Sequence, residues 1–288
     1  DLEQAKALLE GDYIDDEAAG KAQLPLHVEE KIALLRMYQD ENLHNLPQPV
    51  LLYFKEPFKG SIKKPSDYHR YCDLEIIGNS KSIAEATLIQ TARIMLAEEG
   101  YENICVEINS IGDRDSIARY TRDLTNHYRK HLHDMHHECR QLFKKDPFEL
   151  LTCQNEKCKK VNEIAPRSMN FLSEASRVHL QEVLEYMEAL KIPYKINPHL
   201  IGNKKYCTET VFSITNLDYD AKKKDEHKVL AIGVRYNGLS KKVNLKREVQ
   251  GVGISLLIPE KHADLRKDIK KVKRPCASFV QLGFESKL

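Results

Sequence analysis

Alternation of apolar and polar positions picks out the strands of this chain. In residues 206–214 (YCTETVFSI) β-branched and aromatic side chains are dense. Thr210, Phe212 and Ile214 share one face, while Val211 and Ser213 share the other. Such period-two patterning predicts a strand. Short apolar runs bounded by turn signals predict further strands at 50–54 (VLLYF), 71–78 (YCDLEIIG) and 104–108 (ICVEI). Helical spacing marks other stretches. Ile32, Leu34, Leu35 and Met37 form one helix-like pattern. Ser82 is expected to cap a helix carrying Ile83, Ala84, Leu88, Ala92, Met95 and Leu96, which ends at Gly100. Ser173 is expected to cap an amphipathic helix carrying Leu180, Val183, Leu184, Met187 and Leu190. Residues 116–170 have the character of a helical unit, and residues 1–23, acidic and Ala-rich, predict a short helix followed by a loop.

A chain of 288 residues can bury a sizeable core and divide into two or three units. Hydrophobic content of 41% against 31% charged residues is that of a soluble globular protein. No run of 18 or more apolar residues is present, which excludes a helical membrane span. No signal peptide is visible, but the sequence opens at Asp1, which leaves room for an upstream segment. Its seven cysteines are odd in number and form no dense framework, pointing to reduced thiols and a cytoplasmic setting. Net charge is only +2, so contact with nucleic acid has to rest on a local patch.

Residues 197–214 (NPHLIGNKKYCTETVFSI) resemble the histidine-specific loop and strand of histidyl-tRNA synthetases, N-x-x-L-V-R-G-L-D-Y-Y-x-R-T-V-F-E. They match at Asn197, Leu200, Tyr206, Thr210, Val211 and Phe212. Residues 24–31 (LPLHVEEK) resemble L-T-L-R-P-E-G-T, the corner that holds the substrate histidine in that family. Glu29 stands at the family's glutamate, and Lys31 replaces its threonine. The two strands around the basic loop at 59–70 resemble motif 2 of class II synthetases, keeping Phe54, Gly60, Asp73, Glu75, Ile76, Ile77 and Gly78. Asn-Ser-Ile-Gly-Asp-Arg-Asp-Ser at 109–116 is similar to the family's N-S-I-G-D-R-E-S element and is the most specific short match. Glu138-Cys139-Arg140, Asp146-Pro147, and Cys153 with Cys158 before Ala165-Pro166 add further family features. Residues 230–239 resemble A-G-G-G-R-Y-D-G-L, and residues 251–260 resemble motif 3. Residues 277–283 (ASFVQLG) are similar to the first strand of the family's C-terminal anticodon-binding domain. The resemblance covers roughly residues 24–288 in consistent order.

Activation of histidine, as the resemblance implies it, brings a carboxylate to the α-phosphate of ATP with Mg²⁺, while arginines offset developing negative charge. Three family arginines fall here on Lys55, Gly202 and Glu260. Lys55 keeps charge but loses the planar fork, Gly202 removes the cation, and Glu260 inverts the sign. A charge-assisted hydrogen bond contributes about 1.5–3 kcal/mol, so two lost contacts cost roughly 3–6 kcal/mol. That corresponds to about 10²–10⁴ in rate or affinity. Ile232 and Val234 add bulk where the family has glycine. Catalysis is therefore expected to be lost, with Lys55, Gly202 and Glu260 as the degenerate positions.

Glu29, Glu75, Tyr206, Thr210, Arg235 and Tyr236 survive as the candidate substrate-binding set. Two readings stay open for them: a retained site for histidine or a relative, or packing and hydrogen bonding within the sheet. His127, His131, His133, His136 and His137 near Cys139, Cys153 and Cys158 invite a zinc hypothesis, and the C-x4-C spacing suits structural zinc. C-x2-C pairs are absent, however. The histidines are expected to share overlapping faces of one helix as a solvated, weakly basic surface, so no metal is expected. Basic runs at Lys63-Lys64, 222–224 and 267–274 could touch RNA phosphates.

The fold expected is α+β: the class II synthetase core, an antiparallel sheet flanked by helices, with a helical insertion. The expected division is a first core part at 1–115, an insertion at 116–178, a second core part at 179–262, and a linker with the start of an anticodon-binding-like domain at 263–288. The expected function is that of a histidyl-tRNA synthetase-like protein without aminoacylation activity, acting as a regulatory, histidine-sensing or tRNA-binding module. The alternatives are an active histidine–tRNA ligase using ATP and Mg²⁺, with Lys204, Lys205 or Arg235 replacing the lost cations, and a purely structural interaction protein. The resemblance implies a homodimer, with tRNA, another protein or histidine as partners and no membrane.

Overall fold

Seven strands form one sheet in the order β1-β2-β7-β6-β5-β3-β4. The structure is a computed structural model that describes residues 28–55, 69–153, 155–203, 205–219 and 229–259. β1 (Val50–Lys55) and β2 (His69–Ile77) pair antiparallel with Val50 opposite Ile77, as the two apolar runs around the basic loop predict. The loop itself, 56–68, lies outside the described residues. β2 pairs with β7 (Gly251–Pro259), and β6 (Val229–Arg235) joins β7 to β5 (Thr208–Asn216). β5 pairs with β3 (Ile104–Gly112), and all these pairings are antiparallel. Among the described strands only β4 (Tyr194–Ile196) runs parallel, alongside β3.

Period-two alternation divides the core between the two faces of the sheet. Phe212 and Ile214 join Val106, Ile108, Ile254 and Leu256 on one face, under α2 (Ile83–Glu98) and α6 (Glu174–Ala189). Val211, Val234 and Tyr236 turn to the other face, under α1 (Val28–Asp40). In α1, Val28, Lys31, Ile32 and Leu35 stand at helical i, i+3, i+4, i+7 spacing and all are buried. Met37, expected on the apolar stripe, faces outward, and Tyr38 is buried in its place.

Two helix starts differ instructively. Ser173 caps α6 as expected, its side chain accepting from the Ser176 amide. Ser82 makes no cap; its hydroxyl instead donates to Glu182 Oε2 at 2.5 Å, tying α2 to α6. Gly112 turns the chain from β3 into α3 (Arg114–Lys130) at φ +73. A Cβ there would lie 2.6 Å from the Ser116 Cβ, so this corner of the 109–116 octet needs glycine. Asp113 then caps α3 through the Ser116 amide at 2.8 Å.

Helices α3, α4 (His137–Lys145) and α5 (Glu156–Glu163) gather around a separate cluster of Tyr120, Leu124, Tyr128, Phe148, Leu150 and Val161. The single helix expected to present His133, His136 and His137 does not form. α3 ends at Lys130, and the intervening turn is held by Arg140, which donates to the His133 and Met135 carbonyls. Burial of Met135 draws that turn inward. A short helix, α7 (Leu239–Lys242), follows β6. Residues 1–27, 220–228 and 260–288 lie outside the described residues, and with them the expected N-terminal helix, Glu260, the basic linker and the 277–283 strand.

Candidate functional site

β2 carries Glu75 into the centre of the molecule, where two groups from other elements meet it. Lys31 Nζ on α1 donates to Glu75 Oε1 at 2.5 Å, and the Tyr236 hydroxyl after β6 donates to Oε2 at 2.7 Å. Lys31 and Glu75 are 2% and 3% exposed, and Tyr236 has no exposure at all. The ammonium also lies 5.2 Å from the centroid of the Tyr236 ring, a cation–π contact in a desolvated setting. Burial opposes charge on Lys31, but attraction to Glu75 outweighs it and raises the Lys31 pKa. Burial, with the Glu75 charge, pushes the Tyr236 phenol well up, so it stays a donor.

Glycine makes room for this arrangement. β7 runs directly beside β2 with Gly253 opposite Glu75. A Cβ on Gly253 would sit 2.0 Å from Glu75 Oε2, and one on Gly251 would sit 2.4 Å from the Tyr236 ring. Two register positions along, the Ser255 hydroxyl donates to Asp73, both buried.

A second buried network lies on the opposite face. Glu85, in the first turn of α2, accepts from Arg235 Nε at 2.6 Å and Nη2 at 2.5 Å, and from Thr210 Oγ1 at 2.6 Å. His179 Nε2 of α6 lies 2.8 Å from the same carboxylate. Burial opposes ionisation of Glu85, but the hydrogen bonds from Arg235 and His179 prevail and hold it at about 2. The remaining Arg235 hydrogens go to the Asn79 carbonyl at 2.8 Å, the Lys81 carbonyl at 3.2 Å and Asn237 Oδ1 at 3.4 Å. Arg235 is thus a bidentate partner of Glu85 and a clamp on the β2–α2 loop.

The surviving positions therefore fall into two sets. Glu75 and Tyr236 meet each other, and Thr210 and Arg235 meet Glu85. Tyr206 is buried beside Val211 and Val234. Glu29 lies in the first turn of α1, and Lys55 ends β1. Arg235 does not stand as a spare cation, because its donors are committed within the chain. Lys31, which stands at the family's threonine, pairs with Glu75.

Gly202 is buried against Cys207 and Val211. A Cβ there would lie 2.8 Å from the Cys207 sulfur and 3.0 Å from Val211 Cγ2. The place of a lost side chain is filled.

Glu85, His179 and the role of Lys31 were not legible as site residues. The available signal was weak: Glu85 shares the stripe of Leu88, Ile89, Ala92 and Leu96, an acidic residue on a buried helix face.

In the helical unit, Cys139, Cys153 and Cys158 come within 4.8 Å of one another, and the Cys139 and Cys153 sulfurs are 3.2 Å apart. Burial and the neighbouring sulfurs push the Cys139 thiol far up.

No protein-family model matches the chain. It is 26% identical over 249 residues to histidine–tRNA ligase of Clostridium novyi, spanning 83% of this chain and 57% of that protein. With the ligase of Halothermothrix orenii it shares 27% over 271 residues, 93% of this chain and 63% of that one. With that of Staphylococcus saprophyticus it shares 29% over 245 residues, 83% of this chain and 57% of that one. The chain thus spans somewhat over half the length of these relatives. Among solved structures, apo S. aureus histidyl-tRNA synthetase superposes with a TM-score of 0.60 at 26% identity, covering 78% of this chain and 53% of that one. The sheet, its flanking helices and the ordered motifs are thus similar to those of the histidine–tRNA ligases, and the fold is that of the class II synthetase catalytic core.

Proposed function

We propose that this chain is a catalytically silent histidyl-tRNA synthetase-like module that binds tRNA and neither activates nor senses histidine. The observation that carries the reading is the buried Lys31–Glu75 pair. Glu75 is the family carboxylate expected to receive a substrate, and the chain's own ammonium occupies it. Breaking a buried pair by removing one partner costs about 3–5 kcal/mol. A ligand that has to displace Lys31 therefore loses roughly 10²–10⁴ in affinity.

Two further features support silence. Gly202 offers no cation and its surroundings leave no space for one. Arg235, the retained arginine of the set, is spent on Glu85. This donor set does not suit ATP with Mg²⁺, so no step is assigned to them.

The relatives are named for tRNA, and the helical unit presents a basic groove. His131, His133, Lys157 and Lys160, with Asp134, Val161 and Ile164 among them, line an open space of about 520 Å³ there. Phosphate contact by such groups is salt-dependent. Among the described residues β1 is an edge strand with Leu51 and Tyr53 exposed, which supports a homodimer through this side.

Calorimetry with histidine and filter binding with tRNA test the proposal together. The expected result is no histidine binding at millimolar concentration, with tRNA binding that weakens steeply with salt and with Lys157→Glu/Lys160→Glu. Micromolar histidine binding, or no tRNA binding at low salt, would overturn it.

A further inference from the structure

Three thiols converge in the helical unit from three separate elements. Cys139 lies in the first turn of α4, Cys153 directly follows a short 3-10 turn at Pro147–Thr152, and Cys158 lies in the first turn of α5. Cys139 and Cys158 are buried and Cys153 is half-buried. Four sulfur or nitrogen ligands around a tetrahedral zinc at about 2.3 Å stand about 3.8 Å from each other. The observed separations, from 3.2 Å between Cys139 and Cys153 up to the 4.8 Å limit of the group, bracket that value.

A nitrogen donor is close in the chain: the His136 imidazole stands outside the group of three sulfurs and has to swing in to complete the set. His136 is the residue before α4, and its backbone amide donates to the Cys158 sulfur. Its partly exposed imidazole lies 3.9 Å from the exposed Glu138. The four residues then fall into two chelating pairs, His136-x2-Cys139 and Cys153-x4-Cys158, both within the spacing that structural zinc uses. The sequence pattern conceals this, because the first pair lacks one cysteine and the two pairs are brought together only by the 3-10 turn.

We propose that Cys139, Cys153, Cys158 and His136 form a structural zinc site that staples α4, the turn at Pro147–Thr152 and α5 to one another. The proposal is independent of whether the synthetase-like centre is silent. The unit has a need for a staple. α4 has 9 residues and α5 has 8, below the length at which helices persist alone. Its core is one small cluster, the situation in which metals or disulfides supply what burial does not. With no open coordination position, the ion would hold structure and do no chemistry. A Cys139–Cys153 disulfide is the competing use of the 3.2 Å contact, and it would leave Cys158 without a role.

Metal analysis of the chain, purified under reducing conditions and reconstituted with zinc, tests the site. About one zinc per chain is expected. Cys153→Ser and Cys158→Ser should each lower the content at least tenfold, while Cys105→Ser, outside the cluster, should not change it. Cobalt substitution of the unmutated chain should give the intense visible bands of tetrahedral coordination and a sulfur charge-transfer band, both weakened by His136→Ala. Chelation should lower helical ellipticity, and zinc should restore it. Less than a tenth of an ion per folded chain, octahedral cobalt spectra, or a Cys139–Cys153 disulfide in the freshly isolated protein would each overturn the proposal.

Discussion

Replacing Lys31 with methionine isolates the interaction on which the account turns. The 2.5 Å separation of Lys31 Nζ and Glu75 Oε1 gives an attraction of about 6–7 kcal/mol at an effective dielectric constant near 20. Desolvation of both groups offsets part of that, yet the raised pKa of Lys31 shows that the charged form is favoured on balance. Removing the ammonium leaves Glu75 buried with only the Tyr236 hydroxyl, so Lys31→Met should cost about 3–5 kcal/mol. Adding Glu75→Gln removes the stranded charge, and the new amide oxygen still accepts the Tyr236 hydroxyl. The double variant should therefore recover at least about 2 kcal/mol relative to the sum of the single changes. Urea unfolding of the four proteins at neutral pH measures this coupling. Because the Lys31 pKa is raised, the stabilisation is fully present below about 10.5 and is lost as pH rises through the folded value. A Lys31→Met cost below about 1 kcal/mol, or strict additivity, would refute the reasoning.

Glu85 makes the opposite pH prediction. Its carboxyl is held at about 2 against an ordinary 4.5, so its contribution of about 3 kcal/mol is present above 4.5 and is lost as pH falls toward 2. Glu85→Gln should lower stability at neutral pH and flatten the acid limb of a stability–pH curve; an unchanged acid limb would count against the network. Restoring the family cation by Gly202→Arg should fail to restore catalysis, since its Cβ would meet the Cys207 sulfur at 2.8 Å. Thermal unfolding should report a loss of stability instead, and a stable variant that gains activity would contradict the geometry.

Local patterning carried most of the fold and little of the site. The alternation at 210–214 correctly placed Phe212 and Val211 on opposite faces, because burial on each face of a sheet leaves a period-two trace. The paired runs of β1 and β2 were legible for the same reason. Glu75, Thr210, Arg235 and Tyr236 were singled out by resemblance, but their partners were not visible. Arg235 and Glu85 are 150 positions apart, and Lys31 and Glu75 are 44 apart, so nothing local announces either pair. Histidine-rich spacing suggested one continuous helix, whereas the Arg140 clamp on the His133 and Met135 carbonyls breaks it. The three thiols were noticed in the sequence, but their convergence was not, because it depends on that break and on the turn at Pro147–Thr152.

Histidine- and ATP-dependent pyrophosphate exchange, run beside an active histidine–tRNA ligase as control, tests the central claim most directly. Occupation of Glu75 by Lys31 and the closed space at Gly202 predict no exchange above the blank lacking protein. Histidine-dependent exchange that disappears on Glu75→Gln would contradict the account, because it would mean that Lys31 yields its place to substrate.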